Sequence, residues 1–136
     1  LPLSISAPNT SQSGNSALRP NNNGQSAMLT GDVRSRLDRY FNVSVFSQPA
    51  PYTFGNTGRV LPDVRAPGTV NHDASLFKHF TLNERMRLQF RSEFFNLPNN
   101  VRFAGPNASL GSVQFGTISA QGNTPRQVQF GLKLLF

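Results

Sequence analysis

The chain has 136 residues, of which 37% are hydrophobic, and its 13 Lys and Arg outnumber its 6 Asp and Glu, which gives a formal net charge of +7. Because the chain carries 11 Gly and 10 Pro, the composition favours an all-β fold with long connections over a helical domain with a large core. The absence of cysteine excludes disulfides, thiolate metal sites and thiol nucleophiles, and no run approaches the roughly 18 apolar residues of a membrane-spanning helix.

The first predicted element is residues 1–6, in which Leu1, Leu3 and Ile5 alternate with other residues. Side chains of a strand point to opposite faces with a period of two, and the segment begins without a cap or turn, so we expect the end of a longer strand. Residues 7–71 are rich in Asn, Ser, Gly and Pro. We expect a long loop there, with at most a small helix near residues 33–41, and loops of this length are usually functional or disordered.

Residues 72–95 contain two further strand patterns, 73–82 and 85–95, separated only by Asn83 and Glu84. This spacing predicts a β-hairpin. The second strand has an apolar face with Met86, Leu88, Phe90, Phe94 and the small Ser92, and a polar face with Arg85, Arg87, Gln89, Arg91 and Glu93. Its arginines therefore line one side of a strand instead of forming a contiguous basic run.

The first strand of the hairpin is less regular. Lys78 falls among apolar residues on one face, and Phe77 falls among polar residues on the other. A β-bulge near Phe77 would restore the alternation. Without a bulge, and with that face against lipid, Lys78 would cost on the order of 2–4 kcal/mol at mid-depth and less near an interface.

Residues 96–125 form a second Gly-, Asn- and Pro-rich connection, in which a short piece at 113–118 could pair locally. Residues 126–136 then alternate almost without a break, and only Leu135 departs from the pattern. One face carries Val128, Phe130, Leu132, Leu134 and Phe136, and the other carries Gln127, Gln129, Gly131 and Lys133. This strand has about the length of a tilted membrane-spanning strand, roughly 9–11 residues.

Long and short connections alternate along the chain, as they do in a transmembrane β-barrel with short periplasmic turns and long outer loops. We therefore expect the C-terminal antiparallel strands of such a barrel, in the bacterial outer membrane. Residues 1–6 would end a barrel strand, 7–71 and 96–125 would be extracellular loops, 72–95 would be a wall hairpin, and 126–136 would be the closing strand. Four strands cannot close a barrel, which needs about 8 or more, so we expect the remaining strands of the same barrel, or further subunits of an oligomeric wall, as partners.

In this barrel one face of each strand meets outer-membrane lipid and the other faces the lumen. The predicted lipid-facing residues are Met86, Leu88, Phe90, Phe94, Val128, Phe130 and Leu132. The predicted lumen-facing residues are Arg85, Arg87, Gln89, Arg91, Glu93 and Lys133.

Several blocks of the chain resemble the C-terminal end of TonB-dependent outer-membrane receptors, in particular the Oar-like receptors with a carboxypeptidase-regulatory-like domain. These blocks are Arg19-Pro20-Asn21, Tyr40-Phe41-Asn42, residues 54–59, 75–80, 88–96 and 125–136. The resemblance implies a transporter or receptor that engages the TonB system. The family's plug, its TonB-contacting segment and its regulatory-like domain have no counterpart in these residues, so transport would depend on parts outside them.

The final strand also resembles the assembly signal that outer-membrane barrels present to the barrel-assembly machinery. The matching residues are Gln129, Gly131, Leu134 and Phe136. An exposed strand can add to another sheet edge through its backbone while pockets select alternate side chains. The resemblance therefore implies the assembly machinery as a further partner.

Other functions are less well supported by the residues. His72, Asp73 and His79 lack the close ligand pairs of a zinc site, and no acid–base pair, nucleophile turn or phosphate loop is present, so we expect no metal, no cofactor and no enzyme activity. The main alternative is a soluble basic all-β module that binds nucleic acid, with arginines on phosphates and aromatic rings on bases. It does not explain why the phenylalanines of residues 85–95 lie opposite the arginines, so we expect no nucleic acid partner.

Overall fold

A computed structural model describes residues 1–11, 14 and 17–136 of the chain. These residues form two compact units, one of residues 1–67 and 103–120 and the other of residues 68–102 and 121–136. The described residues contain antiparallel strands and two short 3-10 helices but no α-helix, which confirms the predicted all-β fold class. No helix among them is long and apolar enough to span a membrane.

The first unit is built from short elements that are held by side-chain caps. Strands β1 (Ala7–Pro8) and β2 (Ala17–Leu18) pair with each other, as do β3 (Asn21–Asn22) and β4 (Phe46–Ser47). The 3-10 helices span Val33–Arg36 and Val43–Val45. Each helix follows an Asp or Asn whose side chain accepts a hydrogen bond from a backbone N–H of the first turn, which satisfies a donor that the helix leaves unpaired.

An aromatic cluster lies at the centre of the first unit. Phe41 is fully buried, and its ring meets the rings of Phe46 and Phe115 edge-on at centroid distances of 6.0 and 5.3 Å. Edge-to-face contacts of this kind add to the gain from burying the rings. The buried residues of this core are Leu3, Ile5, Ala27, Tyr40, Phe41, Val45, Phe46, Leu61, Val64 and Ile118.

The packing of this core changes the interpretation of the first half of the chain. Residues 7–71, expected as one long loop, belong largely to a unit with its own hydrophobic core. Residues 1–6, expected as the end of a barrel strand, form only isolated bridges, Pro2 to Arg65 and Ser6 to Ser109. The physical reason is that the alternating Leu3 and Ile5 side chains are buried in the core of the first unit.

The second unit contains one antiparallel sheet of three strands in the order β5 (Ala74–Thr81), β6 (Arg87–Phe95) and β7 (Gln127–Leu135). The predicted hairpin and the predicted C-terminal strand are therefore both present. Strands β5 and β6 pair one-to-one over the full length of β5. The β-bulge considered near Phe77 is absent, because Phe77 pairs with Arg91 and Lys78 pairs with Phe90 without an extra residue.

The hairpin connection is longer than the two predicted residues. The side-chain oxygen of Asn83 accepts hydrogen bonds from the backbone N–H groups of Arg85 and Met86, at 3.0 and 2.8 Å. The Met86 carbonyl accepts in turn from the N–H of Leu82, at 2.9 Å. Arg85 and Met86, which were expected in the wall strand, thus lie in the connection, and β6 begins at Arg87.

Gly116 shows how tightly the first unit is packed. It adopts a left-handed φ of +84°, and a Cβ at this position would lie 2.5 Å from Cγ1 of Val43. We expect Gly116→Ala to lower the local unfolding free energy of the first unit by about 1–3 kcal/mol, because it adds both backbone strain and overpacking. Hydrogen-exchange mass spectrometry of peptides that contain Phe41 measures this effect.

Gly105 supplies the control for this prediction. It belongs to the same unit, and a Cβ there would meet no atom within 4 Å. We expect Gly105→Ala to change the same protection by less than about 0.5 kcal/mol. Equal protection in both variants would contradict the packing described above.

Candidate functional site

The register of the three-stranded sheet separates its side chains into an apolar face and a polar face. The apolar face consists of Ala74, Leu76, Lys78, Phe80, Leu88, Phe90, Ser92, Phe94, Val128, Phe130, Leu132 and Leu134. The polar face consists of Ser75, Phe77, His79, Thr81, Arg87, Gln89, Arg91, Glu93, Phe95, Gln127, Gln129, Gly131, Lys133 and Leu135. Met86 and Arg85, predicted to be lipid-facing and lumen-facing, lie outside the strands and belong to neither face.

The apolar face is uncovered. Phe130 and Leu132 are 66% and 69% exposed, and Phe90 is only partly buried. The rings of Phe90 and Phe130 stack across β6 and β7 with centroids 6.1 Å apart. A contiguous exposed apolar surface marks a place where an apolar partner binds, and this surface runs along all three strands.

The polar face is organised around Arg91. Its Nη2 donates to Oε1 of Glu93 at 2.7 Å, and its guanidinium carbon lies 5.4 Å from the centroid of the Phe77 ring. A cation over an aromatic face is attracted by the ring quadrupole, which accounts for a phenylalanine on this face. Beside Arg91, the missing side chain of Gly131 leaves a shallow cavity of about 250 Å³ that Lys133 also lines.

This separation bears on nucleic-acid binding. The stacked pair Phe90 and Phe130 lies on the apolar face, whereas Arg87 and Arg91 lie on the other. A surface that stacks bases and contacts phosphates needs aromatic and cationic groups together. The arginines share their face with Phe77 and Phe95, and the Phe77 ring is already in contact with Arg91.

Lys78 is the one charged residue of the apolar face. It pairs with Phe90 in the register, between Leu76 and Phe80 of its own strand. Among the described residues the only ion pair joins Arg91 and Glu93, so Lys78 has no ionic partner there. An unpaired lysine on a lipid-exposed face at mid-depth would cost on the order of 2–4 kcal/mol.

Asn96 organises the end of the sheet where both long connections leave it, and the sequence reasoning missed it. It is 5% exposed and has a left-handed φ of +51°. Its amide donates to the carbonyls of Asn100 and Thr124 at 3.0 and 3.2 Å, and its Oδ1 accepts from the N–H of Asn100 at 3.0 Å. The available signal was an Asn directly after a strand, since Asn tolerates left-handed backbone better than most residues.

A polar cavity of about 400 Å³ lies at this same end of the sheet. Asp73, Asn96, Arg102, Asn123 and Gln127 are among its lining residues. The Asp73 carboxylate accepts from the N–H of Asn96 at 2.8 Å and from the side chain of Asn71 at 3.0 Å. These bonds hold the connections in place and leave the Arg102 side chain exposed.

The opposite end of the sheet carries the C-terminal aromatic. Phe136 follows β7 directly, is 96% exposed and lines an open cavity with Asn83, Glu84, Arg85 and Met86 of the hairpin connection. Of the residues in the predicted assembly signal, Gln129 and Gly131 lie on the polar face and Leu134 lies on the apolar face.

The first unit contains a separate cavity of about 560 Å³, which Asn22, Asn56, Thr57 and Asp63 help to line. The Asp63 carboxylate accepts hydrogen bonds from the hydroxyl of Ser26 and from the N–H of Ala27. The Ser26 bond, more than any other contact, holds the pKa of Asp63 below its usual range. Asp63 is therefore ionised at neutral pH and ties two distant segments of the unit together.

The candidate metal ligands are not assembled into a site. The backbone carbonyl of His72 accepts from the N–H of Leu97, and Nε2 of His79 lies 3.3 Å from the side-chain nitrogen of Gln89. Asp73 is engaged with Asn96. In the part of the chain that the structure describes, no group of three or more His, Asp or Glu residues could hold a metal ion.

Comparison with known proteins gives one match. A family model described as an outer membrane beta barrel domain covers residues 1–129. The match includes all of the first unit, the β5–β6 hairpin and the start of β7, and it ends before residues 130–136. No curated protein and no solved structure matches the chain.

The role of Asn96 can be measured against Asn99. Both have a left-handed φ, but Asn99 is exposed and its side chain makes one hydrogen bond, to the N–H of Arg126. We expect Asn96→Ala to lower the local opening free energy at this end of the sheet by about 2–3 kcal/mol, because it removes three bonds of a buried amide.

We expect a smaller effect, about 1 kcal/mol, for Asn99→Ala. Protection of the Asn100 amide against hydrogen exchange reports the difference, because that N–H donates to Asn96. Unchanged protection of Asn100 in Asn96→Ala would show that the amide does not hold this end together.

Proposed function

Because the chain belongs to the outer membrane beta barrel domain family, and is therefore part of a bacterial outer-membrane β-barrel as its sequence predicted, we propose that its three-stranded sheet forms part of the wall of a TonB-dependent transporter or receptor. The observation that carries the wall assignment is the two-sided sheet, with an uncovered apolar face and a charged opposite face. The TonB-dependent identity is supported by the sequence blocks that resemble such receptors. The family is generally not enzymatic, and this role needs no catalytic residue or cofactor.

The apolar face is proposed to contact the hydrocarbon of the outer membrane. In water, residues such as Phe130 and Leu132 would leave a large apolar surface exposed, and each buried square ångström of such a surface is worth about 25 cal/mol. In a bilayer the lipid chains cover the same surface. The proposed lipid-facing set is thus Leu88, Phe90, Phe94, Val128, Phe130 and Leu132, without Met86.

The polar face is proposed to line the water-filled lumen. Arg87, Gln89, Arg91, Glu93 and Lys133 all lie on it. Charged groups in a bilayer are stable only where water or an opposite charge is at hand, and a lumen supplies the water. Arg85, which lies in the hairpin connection, is no longer part of this set.

Further strands must complete the wall. In the described residues, β5 and β7 each pair with β6 alone, so each has one edge without a partner strand. Unpaired edges of this length promote aggregation in water and leave backbone groups unsatisfied in lipid. We propose that the remaining strands of the same barrel occupy both edges.

The ends of the sheet fit a single orientation. Ala74, Phe95 and Gln127 share the end from which the long connections leave, and the hairpin connection lies at the other end. Barrels have long loops outside and short turns on the periplasmic side. We therefore propose that the Asn96 end is extracellular, and that TonB would act on parts of the protein outside this chain.

Spin labels at adjacent residues test the two faces. The chain has no cysteine, so Leu132→Cys and Lys133→Cys introduce single labelling sites on opposite faces of β7 in this part of the protein. In the full-length protein reconstituted in bilayers, we expect the label at 132 to relax mainly with oxygen, which concentrates in lipid. The label at 133 should relax mainly with a water-soluble nickel chelate.

The pair serves as its own control, because the two labels differ by one residue in position. Equal accessibility to both reagents, or the reverse order, would contradict the assignment of the faces. A protein that remains in solution without detergent or lipid would contradict the wall itself.

The assembly signal is proposed for Gln129, Gly131, Leu134 and Phe136. We expect Phe136→Ala in the full-length protein to reduce outer-membrane insertion several-fold, because the exposed aromatic side chain would no longer be available to the barrel-assembly machinery. Heat-modifiable migration of membrane fractions on gels measures the inserted amount. Leu135→Ala is the control, since Leu135 lies on the polar face, and equal insertion of both variants would remove the signal role.

A further inference from the structure

Lys78 occupies a position that the wall assignment alone leaves unexplained. It lies on the apolar face of β5, opposite Phe90 and between Leu76 and Phe80. The pairing of β5 with β6 is continuous, so no local irregularity turns the lysine toward the polar face. A cation is thus built into the surface that is proposed to meet lipid.

Lys78 lies in the interior of its strand, away from both ends. It lies four residues from Ala74 and three from Thr81, the two ends of β5. A strand of this length, tilted by about 45°, spans roughly 16 Å of an apolar band about 25 Å tall. With β5 centred in this band, Lys78 lies near the middle, whereas phosphate groups lie beyond the edges of the band.

The described acidic residues of the second unit are engaged elsewhere. Asp73 accepts from the N–H of Asn96, and Glu93 is paired with Arg91 on the polar face. Glu84 lies in the hairpin connection, beyond the end of β5. None of these carboxylates is on the face and at the level of Lys78.

We propose that Lys78 forms an ion pair with a carboxylate on the wall strand that hydrogen-bonds to the free edge of β5. The inference rests on the proposed function, namely that the apolar face meets lipid. Residues directly opposite on neighbouring strands have Cβ atoms about 4.5–5.5 Å apart, which is within reach of a lysine and a Glu or Asp. An Asp or Glu on the same face of the next strand supplies the missing charge.

Such a pair fixes the register of the next strand. A shift of one residue moves the carboxylate to the lumen face, because strand side chains alternate. Both charges would then lose their partner in a region where an unpaired charge is unfavourable. Lys78 thereby selects which strand joins β5 and in which alignment.

Replacement of Lys78 by Met tests the ion pair by whether the protein becomes less or more stable. In the full-length protein in bilayers, we expect Lys78→Met to raise the ratio of unfolded to folded protein at least roughly tenfold, because the partner carboxylate is left alone. The control is Leu76→Met on the same face, which should change the ratio little. A Lys78→Met protein that is more stable than the wild type would show that Lys78 is a lone charge in lipid. A protein of unchanged stability would show that Lys78 lies in water. Either result would overturn the proposal.

A cross-linking experiment identifies the partner directly. Dicyclohexylcarbodiimide, an apolar reagent, couples a lysine amine to a carboxylate in contact with it and releases the corresponding urea. We expect mass spectrometry to find Lys78 joined to an Asp or Glu of a neighbouring wall strand, and a product absent or joined elsewhere would refute the pair. The spin labels at residues 132 and 133 test the lipid exposure of the apolar face separately from the ion pair. If the label at 132 is exposed to lipid and Lys78→Met stabilises the protein, the ion pair is contradicted and the wall assignment stands.

Discussion

The continuous one-to-one pairing of β5, β6 and β7 is the constraint on which the other features of the sheet depend. Because strand side chains alternate with a period of two, this register alone decides which residues share a face. It places the stacked pair Phe90 and Phe130 on one side and the Arg91–Glu93 ion pair on the other. A single slip between two strands would mix these sets and leave neither a continuous apolar surface nor a continuous polar one.

The first unit obtains its order in a different way. Its strands are only two residues long, so repetitive backbone pairing contributes little. Order comes from a buried aromatic cluster around Phe41, from side-chain caps, and from carboxylates such as Asp63 that accept several hydrogen bonds. Such a unit can present a defined surface although most of its backbone is irregular, which is how functional loops on a rigid scaffold commonly work.

Local patterns in the sequence predicted the sheet well and the first unit poorly, for physical reasons. Alternation is visible within a few residues, so the faces of β6 and β7 could be assigned from the sequence. The core of the first unit joins Phe41 to Phe115 across a long stretch of chain, and no local pattern reveals such a contact. Of the two alternatives left open at Phe77, the strand without a bulge is observed, and Arg91 accommodates the aromatic ring. The strand start at Arg85 was wrong because the Asn83 side chain accepts hydrogen bonds from the backbone N–H groups of Arg85 and Met86.

The ion pair between Arg91 and Glu93 has a consequence for the electrostatic potential inside a pore lined by the polar face. It neutralises one of the cations on that face and leaves Arg87 and Lys133 uncompensated. A lumen lined by this face, as proposed, would favour small anions over cations near the wall. At physiological ionic strength the screening length is about 8 Å, so this preference acts on solutes that pass close to the wall and weakens as salt is added.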